Sequence, residues 1–156
     1  MRSLHDAPTR DEVLSRLEQL RSESPRGWGR MTPHQMLCHL ADSFRCAMGL
    51  REASPASSLL RRTLLRWVAL HTPIPWPRGV PTRPELDARR GGSRPAGFDD
   101  DGRELRSLIV RFSTGSPAFE WAAHPLFGRL SEREWGHWGY RHADHHLRQF
   151  GVSGPR

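Results

Sequence analysis

Nine histidines occur in the 156 residues, and His142, His145 and His146 crowd into one short segment. A helix turns about 100° per residue, so side chains four apart share a face. If the segment is helical, His142 and His146 are neighbours. That spacing lets two imidazoles grip one ion, as in the i, i+4 histidine pairs of zinc enzymes. Trp135, Trp138, His142, His146, Gln149 and Phe150 fall on one stripe, with His145 at its edge. Large aromatics mark the buried face, so His142 and His146 are expected to point inward and His145 is not. A buried imidazole must satisfy its nitrogens. A metal ion is one solution; hydrogen bonds to carboxylates or water are the other.

One helix offers two good ligands, so a third must come from elsewhere. His39 is the strongest candidate, beside Met36 and Ser43 at the edge of a second apolar stripe. His34 lies well around that helix from His39. His124 sits in the segment His124-Pro-Leu-Phe-Gly128, and His5, His71 and His137 have no comparable placement. If a metal is the solution, its expected ligands are His39, His142 and His146, and structural hydrogen-bonded histidines stay the alternative. No nucleophile stands in a recognisable elbow, so a Ser-His-Asp or Cys-His triad is not supported, and no general base is legible. Asp42 and Asp144 lie near the ligand candidates and read as solvent-facing carboxylates. Cys38 and Cys46 read as core residues. Eight residues of helix would separate them by about 12 Å, beyond the roughly 7 Å a disulfide allows, so both are expected as reduced thiols of a cytoplasmic protein.

These side chains must be positioned by helices. Segments of about 9–22, 32–49, 57–71, 101–114 and 131–150 carry apolar residues at helical spacing. Thr9/Glu12, Thr32/Gln35, Asp101/Glu104 and Ser131/Glu134 have the spacing of a capping box, and Pro33 suits a first helical turn. Met36, Leu40, Phe44 and Ala47 form one stripe; Leu105, Leu108, Ile109 and Phe112 form another; Leu59, Leu60, Leu64, Trp67 and Val68 support the extra helix. Residues 73–97 are rich in Pro and Gly, which exclude a helix and a central strand. With the 57–71 helix such a segment is the long crossover of a four-helix bundle, a lid over one end of the bundle, or a mobile surface excursion.

Composition narrows the class. The length fits a single domain, 1–156, with a real core. Mean hydropathy is -0.68, no apolar run approaches membrane-spanning length, and the N-terminus has no apolar signal region. The net charge is +7, which invites a nucleic-acid reading. Yet all 24 basic residues are arginine, a bias that composition alone produces, and they are dispersed. Nucleic acid is thus the least favoured partner, and a membrane is not expected.

The segment His142-Ala-Asp-His-His146-Leu-Arg-Gln149-Phe150 resembles the HxxxHxxQ element of the DinB-like superfamily, and Met36-Leu-Cys-His39-Leu40 resembles its first metal-histidine helix. Trp28-Gly-Arg-Met-Thr, His124-Pro-Leu-Phe-Gly128 and Trp135 resemble a branch of that superfamily, a domain family of unknown function. The resemblance spans roughly 28–50 and 98–151. It implies an all-α, up-down-down-up four-helix bundle and a homodimer, to which the residues themselves add a crossover of about 51–98 holding the extra helix. It also implies one divalent transition metal, zinc or nickel with iron as a third option, on His39, His142 and His146. Relatives include metal-dependent thiol transferases. The expected function is therefore a metal-dependent enzyme, such as a thiol-dependent S-transferase, with an open coordination position for a small-molecule thiol or acidic substrate. A non-catalytic metal- or ligand-binding module is the alternative.

Overall fold

The computed structural model describes residues 1–55, 59–115 and 119–154. These residues form five α-helices, α1 (Ala7–Leu17), α2 (Pro33–Ala47), α3 (Leu59–His71), α4 (Phe98–Thr114) and α5 (Glu132–Gln149), and one 3-10 turn, Pro84–Leu86. The described residues contain no strand, only one isolated bridge between His124 and Gly128. No helix among them is long and apolar enough to cross a membrane.

Local chemistry starts the two histidine helices where the capping pairs place them. Thr32 Oγ1 accepts the Gln35 N–H at 3.1 Å and Gln35 Oε1 accepts the Thr32 N–H at 3.1 Å. Ser131 and Glu134 repeat this reciprocal box at α5, which satisfies amides that have no partner inside the helix. The other two expected boxes do not form. Pro8 suits a first turn, so α1 begins at Ala7 after Asp6, and Thr9 lies inside the helix. Glu12 is drawn instead to Arg2 and Arg16. The helix ends at Leu17 rather than near residue 22, and Leu20 reaches the core from the following turn. α4 starts at Phe98, three residues before the expected cap, with Asp99, Asp100 and Asp101 in its first turn, where the helix dipole favours negative charge.

Helices α1, α2, α4 and α5 pack on one another around one core, and α3 lies against α5. Val13 and Leu17, Met36, Leu40 and Phe44, Leu105, Ile109 and Phe112, and Trp135, Trp138 and Leu147 fill the core. At Trp67, α3 departs from its expected stripe. Arg66 pairs with Glu134 of α5 and Leu70 is fully buried, while Trp67 is 58% exposed. Positions 66 and 70, four apart, set the packed face and leave Trp67 rotated off it. The expected start of this helix at residue 57 lies outside the described residues, as do the side chains of Leu59, Leu60 and Leu64.

Residues 73–97 hold the 3-10 turn and otherwise no regular element, and they lie over the helical core as a strap. Arg141 of α5 donates to the carbonyls of Thr72 and Ile74. Trp76 Nε1 donates to Ala69 O at 2.9 Å. Further along, the strap is tied to Asp42 of α2, which is fully buried. Its carboxylate accepts the Ser93 N–H at 2.6 Å and the Ser93 hydroxyl at 2.7 Å, with Arg45 at 2.8 Å and Arg51 at 3.2 Å. The expectation of a solvent-facing Asp42 is therefore corrected: a carboxylate with this many donors can be buried at low cost.

Two contacts make this packing testable. At Gly139 an added Cβ would sit 2.7 Å from Phe112 Cε1 and 2.9 Å from Leu4 Cδ1, both in fully buried side chains. Alanine favours a helix by about 0.5–1 kcal/mol over glycine, but overpacking a rigid core costs about 1–3 kcal/mol. Gly139→Ala should lower the urea midpoint; a higher midpoint would show that the core yields there. Asp42→Asn should cost about 1–3 kcal/mol and speed exchange of the Ser93 amide. Unchanged protection of that amide would mean the strap is held elsewhere.

Candidate metal centre

α5 presents His142 and His146 one turn apart, and α2 presents His39 across from them. One ring nitrogen from each of the three lies within 4.8 Å of the others. The rings of His39 and His142 are 5.1 Å apart, those of His39 and His146 4.8 Å, and those of His142 and His146 5.0 Å. His39 Nε2 faces His142 Nε2 at 3.2 Å.

Hydrogen bonds on the far side of two rings decide where their protons sit. His39 Nδ1 lies 2.9 Å from the carbonyl of Leu86, in the strap's 3-10 turn. A carbonyl only accepts, so Nδ1 carries the proton and Nε2 is a bare lone pair. His146 Nδ1 lies 2.9 Å from Gln149 Oε1. Gln149 Nε2 donates to Trp28 O at 2.7 Å, which sets the amide's orientation and leaves His146 Nε2 bare as well. Gly29 allows this approach, because at its φ of +77° a Cβ would lie 2.6 Å from Gln149 Nε2.

Burial lowers the pKa of all three imidazoles. For His142 the neighbouring His146 and His39 add to the effect. For His146, His39 adds to burial while Gln149 opposes it. For His39, the bond to Leu86 opposes burial without cancelling it. The rings are thus held neutral, the form in which an imidazole ligates.

The residues present fit a divalent cation. Two of the three rings are oriented by carbonyl acceptors with Nε2 left bare, the usual outer-shell support of a metal histidine. His142 Nδ1 is buried with no hydrogen-bond partner, and that ring's hydrogen-bonding contact is inside the site, from its Nε2 to His39 Nε2. Three imidazoles suit zinc, nickel or iron and leave an open position.

The other histidines lie elsewhere. His145 is half-buried between Trp28 and Trp76, with ring centroids 5.7 and 6.2 Å away. His34 Nε2 contacts Asp101 Oδ2 at 2.5 Å. His5 lies against the carbonyls of Ser113 and Glu132, His71 against Glu134, and His137 against the Arg2 carbonyl. Asp144 pairs with Arg16 and Arg148. Leu86 O and Trp76 are site components that no local pattern marks. Trp76 lies 5.8 Å from the His142 ring, brought there by the strap.

His124 organises its own loop. Its Nδ1 accepts the N–H groups of Leu126 and Phe127 at 3.1 and 3.2 Å, so the ring proton is on Nε2. Burial pushes its pKa down to about 3. The folded protein therefore takes up this proton less readily than the unfolded chain, whose histidines titrate near 6.5. Stability should be unaffected above that value and fall as pH drops from about 6.5 towards 3, by roughly 1.4 kcal/mol per unit for each such group. Asparagine can accept the same amides, so His124→Asn should flatten the pH dependence of the urea midpoint. An unchanged slope would show that His124 does not contribute.

A family model described as "Protein of unknown function (DUF1569)" matches residues 2–152. No curated protein and no solved structure matches the chain. The match takes in α1, the histidine pair of α5 and everything between them, and the chain belongs to the DUF1569 family.

Proposed function

We propose that this chain is a DinB-like protein whose four core helices follow the up-down-down-up order, and that it is a metal-dependent enzyme of the thiol-dependent S-transferase type. One divalent transition metal, zinc or nickel before iron, would be held by His39, His142 and His146. The carrying observation is the convergence of three neutral imidazoles, two of them with Nε2 bared by Leu86 O and Gln149 Oε1.

When bound there, the ion supplies Lewis acidity at an open position, lowering the pKa of a thiol or a water that reaches it. The chain's own residues do the rest. Leu86 O and Gln149 aim the imidazoles. Trp76 walls one side of His142 and limits water there. The Arg78 guanidinium stacks 4.4 Å over the Trp28 ring and forms no ion pair among the described residues, so it is free to meet an anionic group on a small thiol or an acidic substrate.

Protein purified without chelator should carry close to one tightly held metal per chain. His39→Ala, His142→Ala and His146→Ala should each abolish that metal, while His145→Ala and His34→Ala should retain it. Retention in all five variants would place the ligands elsewhere, and loss in His145→Ala with retention in His146→Ala would overturn the facing of α5. Turnover of small thiols with electrophilic partners by the loaded protein separates an enzyme from a binding module. Thiol binding without turnover would favour the module.

A further inference from the structure

Three other ligating side chains meet on the far flank of α2, and none is shared with the histidine site. His34 and Cys38 are four apart on α2, the spacing that also joins His142 and His146. Asp101 reaches them from the first turn of α4. One ligating atom from each of the three lies within 4.8 Å of the others. His34 Nε2 is 2.5 Å from Asp101 Oδ2, and Cys38 Sγ is 3.7 Å from the same oxygen. Cys38 is buried, while the His34 and Asp101 side chains are 24% and 17% exposed. The cluster is thus closed on its sulfur side and open to solvent on its imidazole side.

The geometry points to a second metal site here, a Cys-His-Asp set that takes a borderline-soft divalent cation such as zinc, with water completing the coordination. Zinc sits about 2.3 Å from sulfur and about 2.0–2.2 Å from nitrogen or oxygen. Tetrahedral angles then put a sulfur and an oxygen ligand about 3.6 Å apart, and a nitrogen and an oxygen ligand about 3.4 Å apart. The Cys38–Asp101 separation already matches that edge. The His34–Asp101 contact must open by about an ångström, which a partly exposed imidazole on the first turn of α2 can do. Binding releases the thiol proton of Cys38. The proton between His34 Nε2 and Asp101 leaves or moves to Nδ1, freeing Nε2 and the carboxylate to ligate. The Ala96 N–H, 3.0 Å from Asp101 Oδ2, steadies the carboxylate throughout. Magnesium and calcium, which prefer all-oxygen shells, are excluded by the sulfur and the imidazole.

Cobalt(II) distinguishes this site from the three-histidine site, because a thiolate ligand produces a sulfur-to-cobalt charge-transfer band and imidazoles do not. Titration of the reduced, metal-free protein with cobalt should develop that band. The band should persist in His146→Ala, which removes the first site, and in Cys46→Ser, which removes the other thiol. It should vanish in Cys38→Ser, and His34→Gln and Asp101→Asn should weaken the cobalt affinity it reports by more than about tenfold. Circular dichroism of each variant confirms the fold. No band in the wild type, or a band that survives Cys38→Ser, would overturn the proposal and leave the cluster a hydrogen-bonded contact between α2 and α4. Neither result bears on the three-histidine site, whose occupancy has no thiolate signal.

Discussion

The position of two ring protons governs the site. Leu86 O and Gln149 Oε1 take the Nδ1 protons of His39 and His146, so Nε2 of each ring is left as a lone pair in a water-poor space. Removing either acceptor would let its ring change tautomer and turn a proton toward the others. The acceptors come from distant parts of the chain. Gln149 is one turn beyond His146, whereas Leu86 belongs to the crossover and is brought over His39 only by tertiary structure.

The strap is therefore part of the candidate centre. Asp42, one turn past His39 on α2, gathers Ser93, Arg45 and Arg51, and Arg51 continues to the carbonyls of Glu85 and Gly91. The element that presents His39 thus also carries the anchor for the segment that orients it. On the other side, Arg141, beside His142 on α5, holds the carbonyls of Thr72 and Ile74 and so keeps Trp76 over that histidine. Each histidine helix secures its own part of the cover.

Burial has a cost that the arrangement meets in different ways. His124 stays neutral because burial disfavours its charged form, and the Leu126 and Phe127 amides donate to its Nδ1. Glu134 stays ionised: burial alone would raise its pKa, but Arg66, the Ser131 groups and His71 hold it at about 2. Cys38 is a protonated thiol in the metal-free chain, with burial and the adjacent Asp101 raising its pKa to about 12. Asp42, His124 and Glu134 therefore enter this interior where donors of the right kind are already in place.

Much of the architecture was legible in sequence because it rests on local chemistry. Capping boxes at Thr32 and Ser131 depend on residues three apart, and the inward face of α5 follows from the helical repeat, so the His142/His146 pair and the exclusion of His145 could be read directly. Thr9 and Asp101 carried the same local signal without capping, because Pro8 and the acidic turn after Gly97 started those helices earlier. What the amino-acid order could not decide was which long-range partner each polar group would meet. Asp42 looked like a surface carboxylate until Ser93 and Arg51 surrounded it, and Leu86 contributes a backbone oxygen that any residue type would supply. Proline spacing could exclude helix from the crossover, but whether that segment lay over the histidines depended on hydrogen bonds spanning dozens of residues, and only the packed chain brings those partners together.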